Sequence, residues 1–166
     1  MTNANKSCSK VAVLLATYNG KKFIKCLLDS LLNQSFKDFT IFIRDDYSTD
    51  DTLSIIKKYS LNCNSLLGCT KIVILQDDRD VRLGVPGNFY QIIKKCGRFD
   101  YYAFCDQDDY WYKDKIKWAV ERLEKNKKTN VPIVYCSSCR YVEENGTVIR
   151  YFPKQHNIDI NKVIYH

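Results

Sequence analysis

Short apolar segments that end in polar clusters recur along the first two thirds of the chain. Continuous apolar runs of strand length occupy residues 11–16, 39–43, 71–75 and 101–105. Because these runs are continuous rather than alternating, they predict strands buried on both faces, as in a parallel sheet. Apolar residues at helical spacing lie between the runs and predict helices that cover the sheet.

The helical pattern is clearest directly after the first strand. One face of this helix is predicted to carry Phe23, Leu27, Leu28, Leu31 and Leu32. A second helix is predicted to start within residues 48–52, where Ser48 or Thr49 can cap it and Asp50 and Asp51 suit the positive end of the helix dipole. It is predicted to run to about residue 59, with residues 60–70 as a loop. The other predicted elements are helices at 86–96 and 114–125, a strand at 131–137, and a hairpin of 139–142 with 147–152.

This alternation of strands and helices indicates an α/β fold, in which ligands bind outside the carboxyl ends of the parallel strands. The chain places polar residues at those ends. The clusters are Thr17-Tyr18-Asn19, Asp45-Asp46, Asp77-Asp78 and Asp106 to Asp109. We therefore expect the binding site at this edge of the sheet.

The last of these clusters holds three carboxylates in four positions, at Asp106, Asp108 and Asp109. Like charges at this spacing repel unless a cation neutralises them, and Mg²⁺ or Mn²⁺ takes one or two carboxylates together with substrate phosphates. The sequence thus favours a metal site for a phosphorylated substrate. A solvated acidic turn before a helix is the alternative, and both stay open on these residues alone.

A nucleotide needs a partner for its base as well as for its phosphates. Tyr18, in a turn, can stack on a base, although a half-buried core position would explain it equally. Asp45 or Asp46 can accept a hydrogen bond from the imide N–H of uracil or thymine. A helix-capping turn is the alternative, but Asp50 and Asp51 fit that role better. The chain has no glycine-rich phosphate loop, so a metal must hold the phosphates.

Composition narrows the class of protein and its partners. The chain of 166 residues has a net charge of +7, but its middle segment, residues 40–112, is acidic. The basic ends favour phosphate-rich ligands or peripheral membrane association. The plainer explanation for most of their lysines is that they lie on solvent-exposed helix faces. No nucleic-acid motif accompanies the charge, and no membrane span or apolar signal region is visible, so a cytoplasmic protein is expected.

Several segments together resemble the nucleotide-binding half of an inverting glycosyltransferase of family 2. They are VAVLLATYNG (11–20), LLNQSFKDF (31–39), IRDDYSTDDT (43–52), LGVPGNF (83–89) and FCDQDDYWYKDKI (104–116). The resemblance implies a GT-A fold, that is, a Rossmann-like, mainly parallel sheet flanked by helices. It implies a nucleotide-sugar-binding domain at 11–152, between a polar segment at 1–10 and a tail, or the start of an acceptor-side region, at 153–166.

The resemblance also implies roles for the residues that bind the base. Tyr18 stacks on the pyrimidine, and the backbone near Ala16 and Thr17 lines the pocket. Asp46 hydrogen-bonds the base, and Asp45 supports it.

The diphosphate side of the site follows from the same resemblance. Asp106 and Asp108 form a D-x-D motif that touches the ribose and the metal, with Asp109 as an alternative ligand. Asn88 and Gly84 lie near the diphosphate. The DQDD-x-W and GVPGNF forms resemble the rhamnosyltransferase-like branch, which implies a dTDP-sugar donor.

The activity implied is metal-dependent sugar transfer from a dTDP- or UDP-sugar to a cell-surface polysaccharide or a lipid-linked acceptor. Inversion needs a general base, and no carboxylate after Asp109 matches the family's base motif, so we expect a chain truncated at its C-terminus. Two alternatives remain: an incomplete fragment that only binds a nucleotide-sugar or a partner, and a nucleotidyltransferase.

Overall fold

The computed structural model describes residues 10–65, 70–75, 81–126, 132–143 and 147–152. Contacts divide the chain into two compact units, Met1–Lys117 and Trp118–His166. The first unit contains the sheet and its covering helices. The second contains most of the last helix and a two-stranded hairpin.

A four-stranded parallel sheet forms the first unit, as the continuous apolar runs predict. Its strands are β1 (Val11–Thr17), β2 (Phe39–Asp45), β3 (Lys71–Ile74) and β4 (Tyr101–Asp106), in the order β3-β2-β1-β4. The helices between them are α1 (Lys21–Leu32), α2 (Thr52–Ser65) and α3 (Gly84–Cys96). Central β1 is the most apolar strand, and its first five residues are at most 2% exposed.

Helix α1 packs on the sheet through a slightly different face from the one predicted. Ile24, Leu27, Leu28 and Leu31 are fully buried, whereas Phe23 is 40% exposed and Leu32 is half-buried. Ile24 lies three residues before Leu27 and therefore completes the buried stripe. Phe23 was wrongly assigned to that stripe, and its ring instead lies under the Lys22 ammonium, 5.2 Å from the ring centroid.

Helix α2 begins inside the predicted start region but ends later than predicted. It begins at Thr52, whose backbone N–H donates to Asp50 Oδ1 at 2.9 Å, so an aspartate caps it rather than Ser48 or Thr49. It continues to Ser65, so the predicted loop was wrong for residues 60–65. The rest of that loop falls partly outside the described residues.

Helix α3 begins at Gly84, two residues earlier than predicted. Gly84 has a φ of +67°, a left-handed conformation that glycine adopts without strain. This conformation turns the chain into the helix directly beside the end of β2, where the carboxylate of Asp46 receives the Gly84 N–H.

The second unit confirms the hairpin but not the strand before it. β5 (Cys139–Val142) and β6 (Val148–Phe152) pair antiparallel, while the turn at 144–146 lies outside the described residues. Residues 132–138 form no regular strand, and only Tyr135 among them is half-buried. An apolar run without a neighbouring strand has no ladder to satisfy its backbone groups, so the strand predicted at 131–137 was wrong over its described part.

Helix α4 (Lys115–Lys125) has the inner face that the sequence predicts. Ile116 and Val120 are buried, and Ala119 and Leu123 are half-buried. Among the described helices, none has both the length and the apolar character needed to cross a bilayer.

Candidate functional site

The ends of three strands meet at one edge of the sheet. In the strand register, Thr17 lies opposite Asp45, and Ala16 lies opposite both Arg44 and Asp106. The polar clusters after β1, β2 and β4 are therefore neighbours, as expected from parallel strands. The fourth predicted cluster, Asp77-Asp78, lies outside the described residues.

Asp45 ties the loops after β1 and β2 together. Its Oδ1 accepts hydrogen bonds from Thr17 Oγ1 at 2.8 Å and from Ser48 Oγ at 2.6 Å, and its Oδ2 accepts from Ser48 N at 2.8 Å. Ser48 Oγ in turn accepts from Asn19 N at 2.8 Å. Asp45 thus shapes the turn that carries Tyr18.

Asp46 is only 2% exposed and anchors the start of α3. Its carboxylate accepts from Arg44 Nη1 at 2.9 Å, from Leu83 N at 3.0 Å and from Gly84 N at 2.9 Å. Burial alone raises the pKa of Asp46, but the hydrogen bonds from Leu83, Arg44 and Gly84 bring the pKa below its usual value. Both oxygens are engaged in this arrangement, and contact between Asp46 and a base stays a prediction.

Asn88 fastens α3 to the sheet. It is 2% exposed, its Oδ1 accepts from Arg44 Nη1 at 3.0 Å, and its Nδ2 donates to Arg44 O at 3.1 Å. Its predicted position near a diphosphate stays a prediction. Sequence reasoning missed Arg44, although a cation at the end of an apolar strand beside two aspartates was a visible signal.

Tyr18 presents a ring face beside these strand ends. The residue is half-buried, and the guanidinium of Arg82 lies 3.6 Å from its ring centroid. The guanidinium covers this ring face, and another flat group could take its place there. Nothing in the sequence pattern singled out Arg82.

The acidic loop after β4 carries the three predicted metal ligands. Burial, together with the nearby charges of Asp109 and Asp108, raises the pKa of Asp106. Asp109 N donates to Asp106 O at 3.2 Å, and Trp111 Nε1 donates to Asp109 Oδ2 at 3.3 Å. The three carboxylates are therefore close enough to affect one another, and an indole N–H orients one of them.

These carboxylates do not form a complete metal cage. Across the described parts of the chain, no group of three or more His, Cys, Asp or Glu side chains is arranged to hold a metal ion. A divalent cation that takes one or two carboxylates and completes its shell with substrate phosphates fits these residues better. Which of Asp106, Asp108 and Asp109 binds the metal stays a prediction.

Gln107, between the predicted ligands, joins the two halves of the site. Its Oε1 accepts from Tyr18 N at 2.8 Å, and its Nε2 donates to Tyr18 O at 3.0 Å. These bonds link the acidic loop to the backbone of Tyr18. Sequence reasoning passed over Gln107, because a glutamine inside an acidic cluster gives no indication of a partner 89 positions away.

A model of the family described as glycosyl transferase family 2 matches residues 12–165. The chain belongs to glycosyl transferase family 2. It is 42% identical to the dTDP-rhamnosyl transferase RfbG of Shigella flexneri over 112 residues. This alignment covers 66% of this chain and 36% of RfbG. This family 2 chain is also 31% identical over 119 residues to the poly(ribitol-phosphate) beta-N-acetylglucosaminyltransferase TarS of Staphylococcus aureus, covering 70% and 19%.

Solved structures agree with the GT-A fold expected for the family. The crystal structure of S. aureus TarS 1-349 in complex with UDP-GlcNAc matches with a TM-score of 0.57 and 29% identity, over 82% of this chain and 41% of that one. The mannosyltransferase PcManGT from Pyrobaculum calidifontis, in complex with GDP-Man and Mn²⁺, matches with a TM-score of 0.60 and 21% identity, over 69% and 32%, and supports the fold alone. This family 2 chain thus spans only about a third or less of the length of RfbG and TarS.

Proposed function

We propose that the chain binds the donor of a metal-dependent, inverting glycosyltransferase, and that this donor is a dTDP- or UDP-sugar. The observation that carries the proposal is the junction of two loops at one sheet edge. One loop presents the ring of Tyr18, the other presents three carboxylates, and the amide of Gln107 bonds them together.

The Tyr18 loop supplies the base subsite in this proposal. The ring accepts a flat cation on its face, and a pyrimidine presents a similar flat surface. Thr17 and Ala16, at the end of β1, line the floor of this subsite. Asp45 keeps the loop in shape through its bonds to Thr17 and Ser48.

The acidic loop supplies the diphosphate subsite. Asp106, Asp108 and Asp109 would hold Mg²⁺ or Mn²⁺, and such an ion stabilises the charge of a departing nucleoside diphosphate. Burial and the nearby charges of Asp109 and Asp108 raise the pKa of Asp106. A bound cation would relieve the repulsion among these carboxylates. Trp111 holds Asp109 in place, so at least one candidate ligand is oriented before a metal arrives.

The identity of the donor is supported by the relatives. RfbG is named as a dTDP-rhamnosyl transferase, and one TarS structure holds UDP-GlcNAc. Both ligands named there carry a pyrimidine and a diphosphate, so we propose a pyrimidine donor for this chain and a saccharide or lipid-linked acceptor. We further propose that the protein acts in the cytoplasm, with its basic segments favouring peripheral contact with the membrane.

Sugar transfer also needs a base that deprotonates the acceptor hydroxyl. The described carboxylates after the acidic loop are poor candidates. Asp114 accepts a hydrogen bond from Ser35 Oγ at 2.5 Å, Glu121 and Glu124 lie on exposed positions of α4, and Glu143 lies in the hairpin. This observation favours a second candidate function, namely donor binding without turnover.

A product assay tests the proposal and separates the candidates. The purified chain is incubated with Mn²⁺, with dTDP-rhamnose or UDP-GlcNAc as the donor, and with a lipid-linked saccharide as the acceptor. Both binding of the donor and release of nucleoside diphosphate are measured. Binding with release supports a glycosyltransferase, and binding without release supports the second candidate. Pyrophosphate release from dTTP or UTP, with a sugar 1-phosphate present to accept the nucleotidyl group, would instead favour the nucleotidyltransferase alternative. No contact among the described residues favours that alternative.

A further inference from the structure

The Gln107 side chain continues the pairing of β1 and β4 beyond the end of the sheet. The last residue pair in the register is Ala16 with Asp106. One step further, the amide of Gln107 takes the place of backbone ladder bonds, with 2.8 Å from Tyr18 N to Oε1 and 3.0 Å from Nε2 to Tyr18 O. Both polar atoms of the Gln107 side chain are therefore hydrogen-bonded to the backbone of Tyr18.

Gly20 makes room for this amide. A Cβ built on Gly20 would lie 2.7 Å from Gln107 Cδ and closer still to Oε1, which real Cβ atoms do not tolerate. The φ of Gly20 is −98°, a value open to any residue, so the backbone itself does not require glycine here. The absence of a side chain at Gly20 therefore serves the position of Gln107.

We propose that Gln107 is a positioning residue that holds the Tyr18 loop and the acidic loop at the spacing of a nucleoside diphosphate. This inference rests on the proposed function. Gln107 touches neither base nor phosphate in it. The residue acts by fixing where Tyr18 lies relative to Asp106 and Asp108, which flank Gln107 in the chain.

The physical reason lies in the connectivity of the ligand. A nucleoside diphosphate reaches both subsites through one ribose, so binding at one subsite raises the effective concentration at the other only when their spacing is right. Loops held together before binding also lose less conformational entropy when the ligand arrives. Loss of the Gln107 bonds should therefore weaken the binding of a whole nucleoside diphosphate far more than the binding of the nucleoside or of pyrophosphate alone.

The test uses Gln107→Ala, Gly20→Ala and the double variant, with three probes: dTDP with Mn²⁺, thymidine alone, and pyrophosphate with Mn²⁺. Gln107→Ala should weaken dTDP binding about fivefold or more, which corresponds to the net free energy of one hydrogen bond. The affinities for thymidine and for pyrophosphate should stay within about twofold of those of the unmodified chain. Gly20→Ala should do the same, because its methyl group displaces the amide from Tyr18. With alanine at position 107 the methyl group meets no amide, so Gly20→Ala should then have no further effect.

Tyr110→Phe is the matched control, because it removes one hydroxyl from an exposed residue of the same loop and should change none of the affinities. Melting temperatures of all variants are recorded alongside. A parallel loss of all three affinities, a change in melting temperature alone, or additive effects in the double variant would overturn the positioning role. If the unmodified chain fails to bind dTDP with Mn²⁺, the proposed function falls and this inference falls with it. If it binds and the variants match it, this inference alone is wrong.

Discussion

The guanidinium of Arg82 lies over the Tyr18 ring, with its central carbon 3.6 Å from the ring centroid. In the proposed site, this ring face belongs to the nucleobase, so a base must first replace the arginine. A cation–π contact at an exposed site is worth about 0.5–1 kcal/mol. The arginine therefore competes weakly with the base.

Arg82→Ala tests this competition. We expect the variant to bind thymidine about two- to fivefold more tightly, because the base no longer displaces a cation. Thymidine is the right probe, since it carries no phosphate that an arginine would attract. Arg98→Ala, at an exposed position, serves as the control. Weaker binding by Arg82→Ala would mean that the guanidinium holds the base rather than competing with it.

Tyr18 itself carries the base in the proposed function. Tyr18→Ala should weaken dTDP binding about tenfold or more, because stacking of a base on an aromatic ring contributes about 1–3 kcal/mol. Tyr18→Phe keeps the ring and should bind nearly as well as the unmodified chain. Tyr90→Ala removes a similarly sized exposed ring from α3 and should have no effect. Equal affinities of Tyr18→Ala and Tyr90→Ala for dTDP would show that Tyr18 does not bind the base.

The carboxylate of Asp46 is expected to stabilise the folded protein. Asp46→Ala leaves the buried guanidinium of Arg44 without this carboxylate and α3 without the acceptor of its first amides. Breaking such a buried pair costs about 3–5 kcal/mol in the free energy of unfolding. Urea denaturation measures this cost, with Asp100→Ala as the control at an exposed position. A change of the same small size in both variants would contradict the anchoring role of Asp46.

The lowered pKa of Asp46 also gives the stability a pH dependence with a definite sign. A carboxyl whose pKa is lower in the folded protein than in the unfolded chain stabilises the fold above its unfolded pKa. That contribution disappears as the pH falls through the lowered, folded-state pKa. Asp46→Asn cannot titrate, so its stability should be below that of the unmodified chain at pH 7, with the difference shrinking in acid. A difference that stays constant with pH would show that Asp46 does not contribute in this way.

Strand positions were accessible from the sequence because burial on both faces leaves a direct mark on composition, whereas the order of the strands in the sheet was not predicted. The run at 11–16 is apolar throughout, and the structure buries it in the central strand β1. The choice between Phe23 and Ile24 was not accessible. Both are apolar neighbours, and only the rotation of α1 on the sheet decides which one is buried.

The contacts that organise the site were harder to foresee, since they join residues far apart in the chain. Asp46 accepts from the backbone of Leu83, 37 positions away, and Gln107 bonds the backbone of Tyr18, 89 positions away. A backbone N–H belongs to every residue except proline and leaves no mark in the sequence. The residue types at the strand ends are therefore visible in the sequence, while the fold decides which of them bond to one another.

The acidic loop is expected to make nucleotide binding metal-dependent. In the variant Asp108→Asn with Asp109→Asn, Mn²⁺ should no longer strengthen dTDP binding, because the amide groups are neutral and poor ligands for a hard cation. Thymidine binding should stay unchanged, since the Tyr18 loop is intact. The affinities are measured by equilibrium dialysis with and without Mn²⁺. An undiminished effect of Mn²⁺ in this variant would exclude both residues as ligands.

Calorimetric titration of the unmodified chain with dTDP and with UDP, each with and without Mn²⁺, tests the central claim most directly. We expect saturable binding of at least one of the two nucleotides with Mn²⁺ and much weaker binding without it, because the base and the diphosphate are held by two joined loops. Titration with GDP is the control for base preference and should give weaker binding. No binding of either pyrimidine nucleotide by the folded chain, with Mn²⁺ present, would contradict the account.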